Sequence, residues 1–140
     1  MRRSDILQRR RIADGYTTPD RHYLRRAMNY FANTTKFVQF VVVSDDLAWV
    51  KVAIAENGAI GSNNTSVVFS REANLAAVDL AMLSRCDGGV IMTTGSFGWW
   101  GAWLANRTTV YYRNWPKPGT WLDKKFKRDD FFPPSWISMT

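Results

Sequence analysis

The stretch Phe37-Val38-Gln39-Phe40-Val41-Val42-Val43, followed by Ser44-Asp45, decides the fold. Its β-branched and aromatic residues run with almost no polar interruption, the pattern of a strand buried on both faces of a parallel sheet. Ser44 and Asp45 then supply helix-capping chemistry. Downstream, Leu47 to Ala55 is helical by propensity and Asn57-Gly58 is a suitable stop. Ser66 to Phe69 reads as a second strand, and Ser70 to Ser84 as a helix whose buried stripe is Leu75, Val78, Ala81, Met82 and Leu83. Gly89 to Thr93 is a third buried strand, Thr94-Gly95-Ser96 a turn, Phe97 to Leu104 a short aromatic helix, and Thr109 to Tyr112 a fourth strand. Strands alternating with helices define an α/β class with a parallel sheet. Upstream, Tyr23, Leu24, Ala27, Met28, Tyr30 and Phe31 recur at helical spacing, so a first ordered helix begins near Asp20 and packs on the core. Beyond Trp115-Pro116-Lys117-Pro118-Gly119, residues 115–140 form a Pro- and aromatic-rich tail expected to wrap over the same domain, which spans 1–140.

At 140 residues the chain has the size of one ordinary domain and is too short for two full ones. Hydrophobic residues at 46% against 22% charged exclude disorder, collagen-like repeats and a disulfide scaffold. Nineteen Lys and Arg against 12 Asp and Glu leave a charge of +7, which suits an anionic partner: phosphate, nucleic acid or a membrane surface. No run approaches the length of a membrane-spanning helix, and Met1-Arg2-Arg3-Ser4-Asp5 lacks the apolar middle of a signal peptide. The single Cys86 has no internal disulfide partner, and with a single His22 the sequence offers no cluster of soft ligands for zinc. Asn33, Asn63, Asn64 and Asn106 each begin an Asn-x-Ser/Thr triplet, which reads either as N-glycosylation in a secretory lumen or as ordinary loop chemistry.

Ligands of open parallel sheets sit beyond the carboxyl ends of the strands, where loops enter helix N-termini. The loop Thr94-Gly95-Ser96-Phe97-Gly98 after the third strand has small residues, two hydroxyls and backbone N–H groups at the positive end of a helix, which suits a phosphate. The alternative is a tight strand-to-helix turn capped by Ser96. Arg2 and Arg3 can bracket a diphosphate through charge-assisted hydrogen bonds, or form a solvated basic terminus. Asp79 interrupts an apolar helix between Val78 and Leu80; its carboxylate can accept N–H bonds from a guanine edge, or cap or pair with an arginine.

These segments, in this order, resemble the carboxyl-terminal half of the galactoside α-1,2-fucosyltransferases, and the resemblance covers essentially the whole chain. Met1-Arg2-Arg3-Ser4-Asp5 is similar to the family's His-x-Arg-Arg-x-Asp motif without its histidine, with Ser4 where the family often has Gly. Asp20-Arg21-His22-Tyr23-Leu24-Arg25-Arg26-Ala27-Met28 resembles the helix that follows. Val41-Val42-Val43-Ser44-Asp45-Asp46-Leu47-Ala48-Trp49 resembles the strand that ends in Ser or Thr ahead of a Trp. Asp79-Leu80-Ala81-Met82-Leu83-Ser84-Arg85-Cys86 and Ile91-Met92-Thr93-Thr94-Gly95-Ser96-Phe97-Gly98-Trp99-Trp100 resemble the second and third motifs. Phe132-Pro133-Pro134-Ser135-Trp136-Ile137 is similar to the family's terminus.

The resemblance implies a Rossmann-like parallel sheet with helices on both faces, the donor-binding lobe of a two-lobed glycosyltransferase. That enzyme would transfer L-fucose from GDP-fucose to the 2-hydroxyl of a terminal galactose with inversion, without a metal or other cofactor. By the family pattern Arg2 contacts the donor diphosphate and stabilises the leaving GDP, Arg3 supports it, and Asp5 orients the pair. Asp79 would read the guanine edge, and Thr94, Gly95, Ser96, Phe97 and Gly98 would hold ribose or phosphate. The general base is unassigned. The resemblance further implies a fragment lacking the acceptor-side lobe and a membrane anchor. On its own this fragment is expected to transfer little or no fucose; the whole enzyme would be a type II protein of the Golgi cisterna membrane facing the lumen. The rival readings are a catalytically inactive GDP-binding remnant and a basic nucleic-acid-binding module; against the latter, no nucleic-acid motif appears and the arginines cluster at the start instead of along one face.

Overall fold

A computed structural model describes residues 6–56, 64–70 and 75–140. Its strands are β1 (Val38–Val42), β2 (Thr65–Phe69), β3 (Val90–Met92), β4 (Thr109–Tyr112) and β5 (Ile137–Met139). The helices are α1 (Arg9–Asp14), α2 (Arg21–Thr34), α3 (Leu47–Ala55), α4 (Ala76–Ser84), α5 (Ser96–Ala105), α6 (Trp121–Lys125) and α7 (Arg128–Phe131). Among the described residues every strand pairing is parallel. The fold is therefore α/β with parallel sheet flanked by helices, and the strands fall into two hydrogen-bonded groups, β1-β2 and β3-β4-β5. The stop expected at Asn57-Gly58 lies outside the described residues.

Helix α2 forms where the apolar spacing requires it. Asp20 caps it by accepting the Tyr23 N–H at 2.8 Å, and Tyr23, Leu24, Ala27, Met28 and Phe31 are its buried residues. Tyr23 is completely buried, and its hydroxyl donates to the carbonyls of Met92 and Val110, which pins α2 to the β3-β4 ladder. Helices α2 and α3 pack together, as do α4 and α5. Gly89, just ahead of β3, has φ +139°, and a Cβ there would collide with the Thr108 carbonyl and the Phe31 ring. Only glycine admits that approach of helix and strand.

Several expectations are corrected. The cap of α3 is Asp46, accepting the Trp49 N–H at 3.2 Å; Ser44 instead accepts the Asp46 N–H at 3.0 Å, so it shapes the turn without capping the helix. The stripe assigned to α4 does not face the core: Leu75, ahead of the helix, and Val78 and Ala81 are exposed, Met82 and Leu83 are half-buried, and the buried residue is Asp79. The helix is apolar on most of its surface, so periodicity does not select a face; α5 and the polar bond of Asp79 do. A short helix, α1, precedes Asp20, closed by Gly15 in the left-handed region; its Arg-rich sequence has no apolar spacing to reveal it. Asn33 belongs to the last turn of α2, not to a connection.

Residues 115–140 contain α6, α7 and β5, which pairs with β4. At three residues, β5 is too short to show a period in sequence. Aromatic rings hold this part down: Tyr111 stacks on Phe132 with centroids 3.9 Å apart, and the Trp99 indole N–H donates to the Phe131 carbonyl at 2.6 Å. Arg128 donates to the carbonyls of Arg113 at 3.0 Å and of Trp115 and Pro116 at 3.2 Å.

Candidate nucleotide site at the carboxyl edge

Each of the first three strands ends on a buried hydroxyl residue. β1 leads to Ser44, β2 to Ser70, and β3 to Thr93-Thr94; these residues are between 3% and 7% exposed. A side-chain hydroxyl both donates and accepts, so this edge presents polar groups to whatever enters it from the helix side. The Ser70 N–H donates to the Val42 carbonyl at 2.9 Å, which extends the β1-β2 ladder and fixes the residue. Its Oγ then donates to Asp79 Oδ1 at 3.0 Å.

Asp79 sits in the first turn of α4 and is 8% exposed. A carboxylate at a helix N-terminus is favoured by the helix dipole. Its second oxygen can accept from a ligand while Ser70 holds the first. Among the described residues no arginine pairs with it, so the arginine partner entertained from sequence is not found there.

The turn Thr94–Gly98 carries the chain from β3 into α5. Gly95 takes φ +86° and ψ 168° and occupies the N-cap position, so Ser96 is not the cap and no side chain caps the helix there. A Cβ at Gly95 would meet nothing within 4 Å, so open space lies against the turn. The Thr94 hydroxyl is buried and has no hydrogen-bond partner among the described residues. Buried polar groups are almost always paired, so this hydroxyl, ahead of an uncapped helix, marks the turn as the candidate site. Phe97 and Gly98, in the first turn of α5, are half-buried.

Helix α4 follows β2 and α5 follows β3, so Asp79 and the Thr94–Gly98 turn each lie beyond the carboxyl end of a strand, and Ser70 is bonded to Asp79. Sequence reasoning did not single out Ser44 and Ser70 as site residues. The readable signal was a hydroxyl directly after each apolar strand. Arg2, Arg3, Asp5 and Asn63 lie outside the described residues. Asn33 and Asn106 are exposed, the latter closing α5 with φ 50°, whereas the Asn64 side-chain amide donates to the Lys36 carbonyl at 3.1 Å. Trp99 joins the aromatic core, while Trp100 and Trp103 are about half exposed, at 51% and 52%. Among the described residues there is no group of three or more His, Cys, Asp or Glu able to hold a metal, and no helix long and apolar enough to cross a membrane.

The fold is that of an α/β domain with parallel strands, with a buried hydroxyl residue following each of its first three strands. The chain is a member of glycosyl transferase family 11, whose family model matches residues 1–140. It is 37% identical over 122 residues to the bovine (Bos taurus) galactoside 2-alpha-L-fucosyltransferase SEC1, covering 86% of this chain and 31% of that protein. Bovine galactoside alpha-(1,2)-fucosyltransferase 1 is 34% identical over 141 residues, covering 99% of this chain and 37% of the relative. The human (Homo sapiens) galactoside alpha-(1,2)-fucosyltransferase 1 is 35% identical over the same number of residues, with the same coverage. The chain thus spans about a third of the length of these relatives. No solved structure matches it.

Proposed function

We propose that this chain is the donor-binding part of a galactoside α-1,2-fucosyltransferase and holds GDP-fucose at the carboxyl edge of its sheet. The observation that carries the reading is the unpaired, buried Thr94 hydroxyl ahead of the uncapped start of α5. In this proposal the turn Thr94–Gly98 takes ribose or phosphate oxygens, and Asp79, steadied by Ser70, accepts N–H bonds from the guanine edge. Arg2 and Arg3, oriented by Asp5, neutralise the charge that develops on departing GDP, which is electrostatic catalysis by fixed cations. Transfer to the 2-hydroxyl of a terminal galactose proceeds with inversion and without a metal, and the acceptor is held mainly by parts of the enzyme beyond this sequence. Location of the whole enzyme on the luminal side of the Golgi membrane belongs to the same proposal; the exposure of Asn33 and Asn106 supports their glycosylation there.

Calorimetric titration with GDP and GDP-fucose tests it, on the wild-type chain and on Arg2→Ala. The proposal expects saturable binding of both ligands, weakened about tenfold or more in the variant, because a charge-assisted hydrogen bond contributes roughly 1.5–3 kcal/mol. Equal affinity in the two proteins would remove Arg2 from the site. Absence of binding in both would contradict the donor-binding role.

A further inference from the structure

The two groups of strands turn bare edges toward one cavity. In a parallel strand the N–H and C=O of one residue point to the same side, and successive residues alternate. Val38 donates to Asn64 and Val42 accepts from Ser70, so Val38, Phe40 and Val42 are directed at β2. Gln39, Val41 and Val43 are therefore directed away from it. Likewise Val90 donates to the Thr108 carbonyl, so Val90 and Met92 serve the ladder with β4 and Ile91 is directed away. Among the described residues no backbone group pairs with Gln39, Val41, Val43 or Ile91 on these edges.

Between the edges lies a cavity of about 600 Å³. Its walls are the whole of residues 37–43 and residues 88–91, with Leu24, Met28 and Phe31 of α2 on one side and Met82 and Leu83 of α4 on the other. Both sides are apolar. A cavity bounded by two bare strand edges and lined by residues of α2 and α4 has room for one further strand. Buried backbone groups are almost always paired, and parallel edges in α/β folds are normally covered.

The strand order supports this. Read across, the molecule runs β2, β1, cavity, β3, β4, β5, which is the doubly wound order 3-2-1-4-5-6 with its first strand absent. Helix α2 precedes β1 and packs with α3, the place of the crossover helix between that first strand and β1. The relatives are about three times as long as this chain, so a polypeptide of the family has ample further sequence to supply such a segment.

We infer that the cavity between β1 and β3 is the seat of a central β-strand, an extended apolar segment of the longer polypeptide that runs parallel to both and pairs with Gln39, Val41, Val43 and Ile91. Such a strand would end at the same carboxyl edge as Ser44 and Thr94 and would merge the two groups into one sheet of six.

Amide hydrogen exchange tests this on two proteins: the 140-residue chain, and the same chain joined at residue 1 to the segment immediately preceding the matched region of bovine galactoside alpha-(1,2)-fucosyltransferase 1. The expected result is that the amides of Gln39, Val41, Val43 and Ile91 exchange rapidly in the first protein. In the second they should slow by about a hundredfold or more, to the level of Phe40 and Val42. Rapid exchange at the four positions in the extended protein, with Phe40 and Val42 protected, overturns the proposal, and this reading holds even where the shorter chain is unfolded. Protection already present in the shorter chain also overturns it: independent of concentration, it means that β1 and β3 pair directly; lost on dilution, it means that a second copy fills the cavity.

Discussion

Asp79 shows how one side chain can set the orientation of an element. The Ser70 hydroxyl reaches it from the end of β2, and the bond draws the polar side of an apolar helix inward. On the proposed role, Asp79→Asn keeps the shape but replaces a charged acceptor by an amide. The preference for GDP over UDP should then fall about tenfold or more, while Ser70→Ala should lower thermal stability as well as affinity; competition binding with the two nucleotides and thermal melts check both. Two of the positive-φ glycines, Gly89 and Gly95, separate structure from site. Gly89→Ala must push aside the Thr108 carbonyl and the Phe31 ring, and should cost several kcal/mol in denaturant unfolding. Gly95→Ala meets open space and bears only the backbone strain of φ +86°, about 1–3 kcal/mol, but places a methyl group where the ligand would lie. Tyr23 supplies a pH dependence. Burial, with Tyr112 nearby, raises its hydroxyl well above the ordinary value of 10.0. The folded protein keeps that proton where the unfolded chain has lost it, so this contribution is complete below pH 10 and declines as pH rises above it. Urea midpoints measured from about pH 8 to about pH 11.5, which spans the ordinary tyrosine value, should fall more steeply for wild type than for Tyr23→Phe.

At the level of elements, the strands and α2 were readable because burial leaves a strong imprint on their composition. A β-branched run such as residues 37–43 fits a strand covered on both sides, and the spacing from Tyr23 to Phe31 fits one helix face. Helix α4 was readable as a helix but not in its orientation. Nine residues, nearly all apolar, give no contrast between faces, and the decisive contact runs to Ser70, nine positions away. Its exposed Val78 therefore contributes little to folding in this chain, and Val78→Ser should change the unfolding free energy by no more than about 0.5 kcal/mol, in contrast to a buried valine such as Val110. Denaturant titration of Val78→Ser beside Val110→Ala measures the difference. The last strand, β5, escaped sequence reading because three residues carry no period; its place is set by aromatic packing of Phe132 and Trp136 and by the ladder to β4.

For the molecule as a whole, the parallel α/β class was legible from alternation alone, and the rim that holds the candidate site follows from that class. Asp79 and the Thr94–Gly98 turn each follow the carboxyl end of a strand, which the sequence implies once the strands are known. The division of the strands into two groups was not legible, because nothing in the residues of β1 or β3 states which neighbour they lack. The length carries the same message: 140 residues hold two helical layers and a hydroxyl-lined rim, yet match only about a third of each relative. The central claim concerns that rim, and backbone amide chemical shifts recorded during a GDP titration test it most directly. The account predicts saturable shifts concentrated at Ser44, Ser70, Asp79 and Thr94 to Gly98; shifts confined to other surfaces, or none at all with the fold intact, would contradict it.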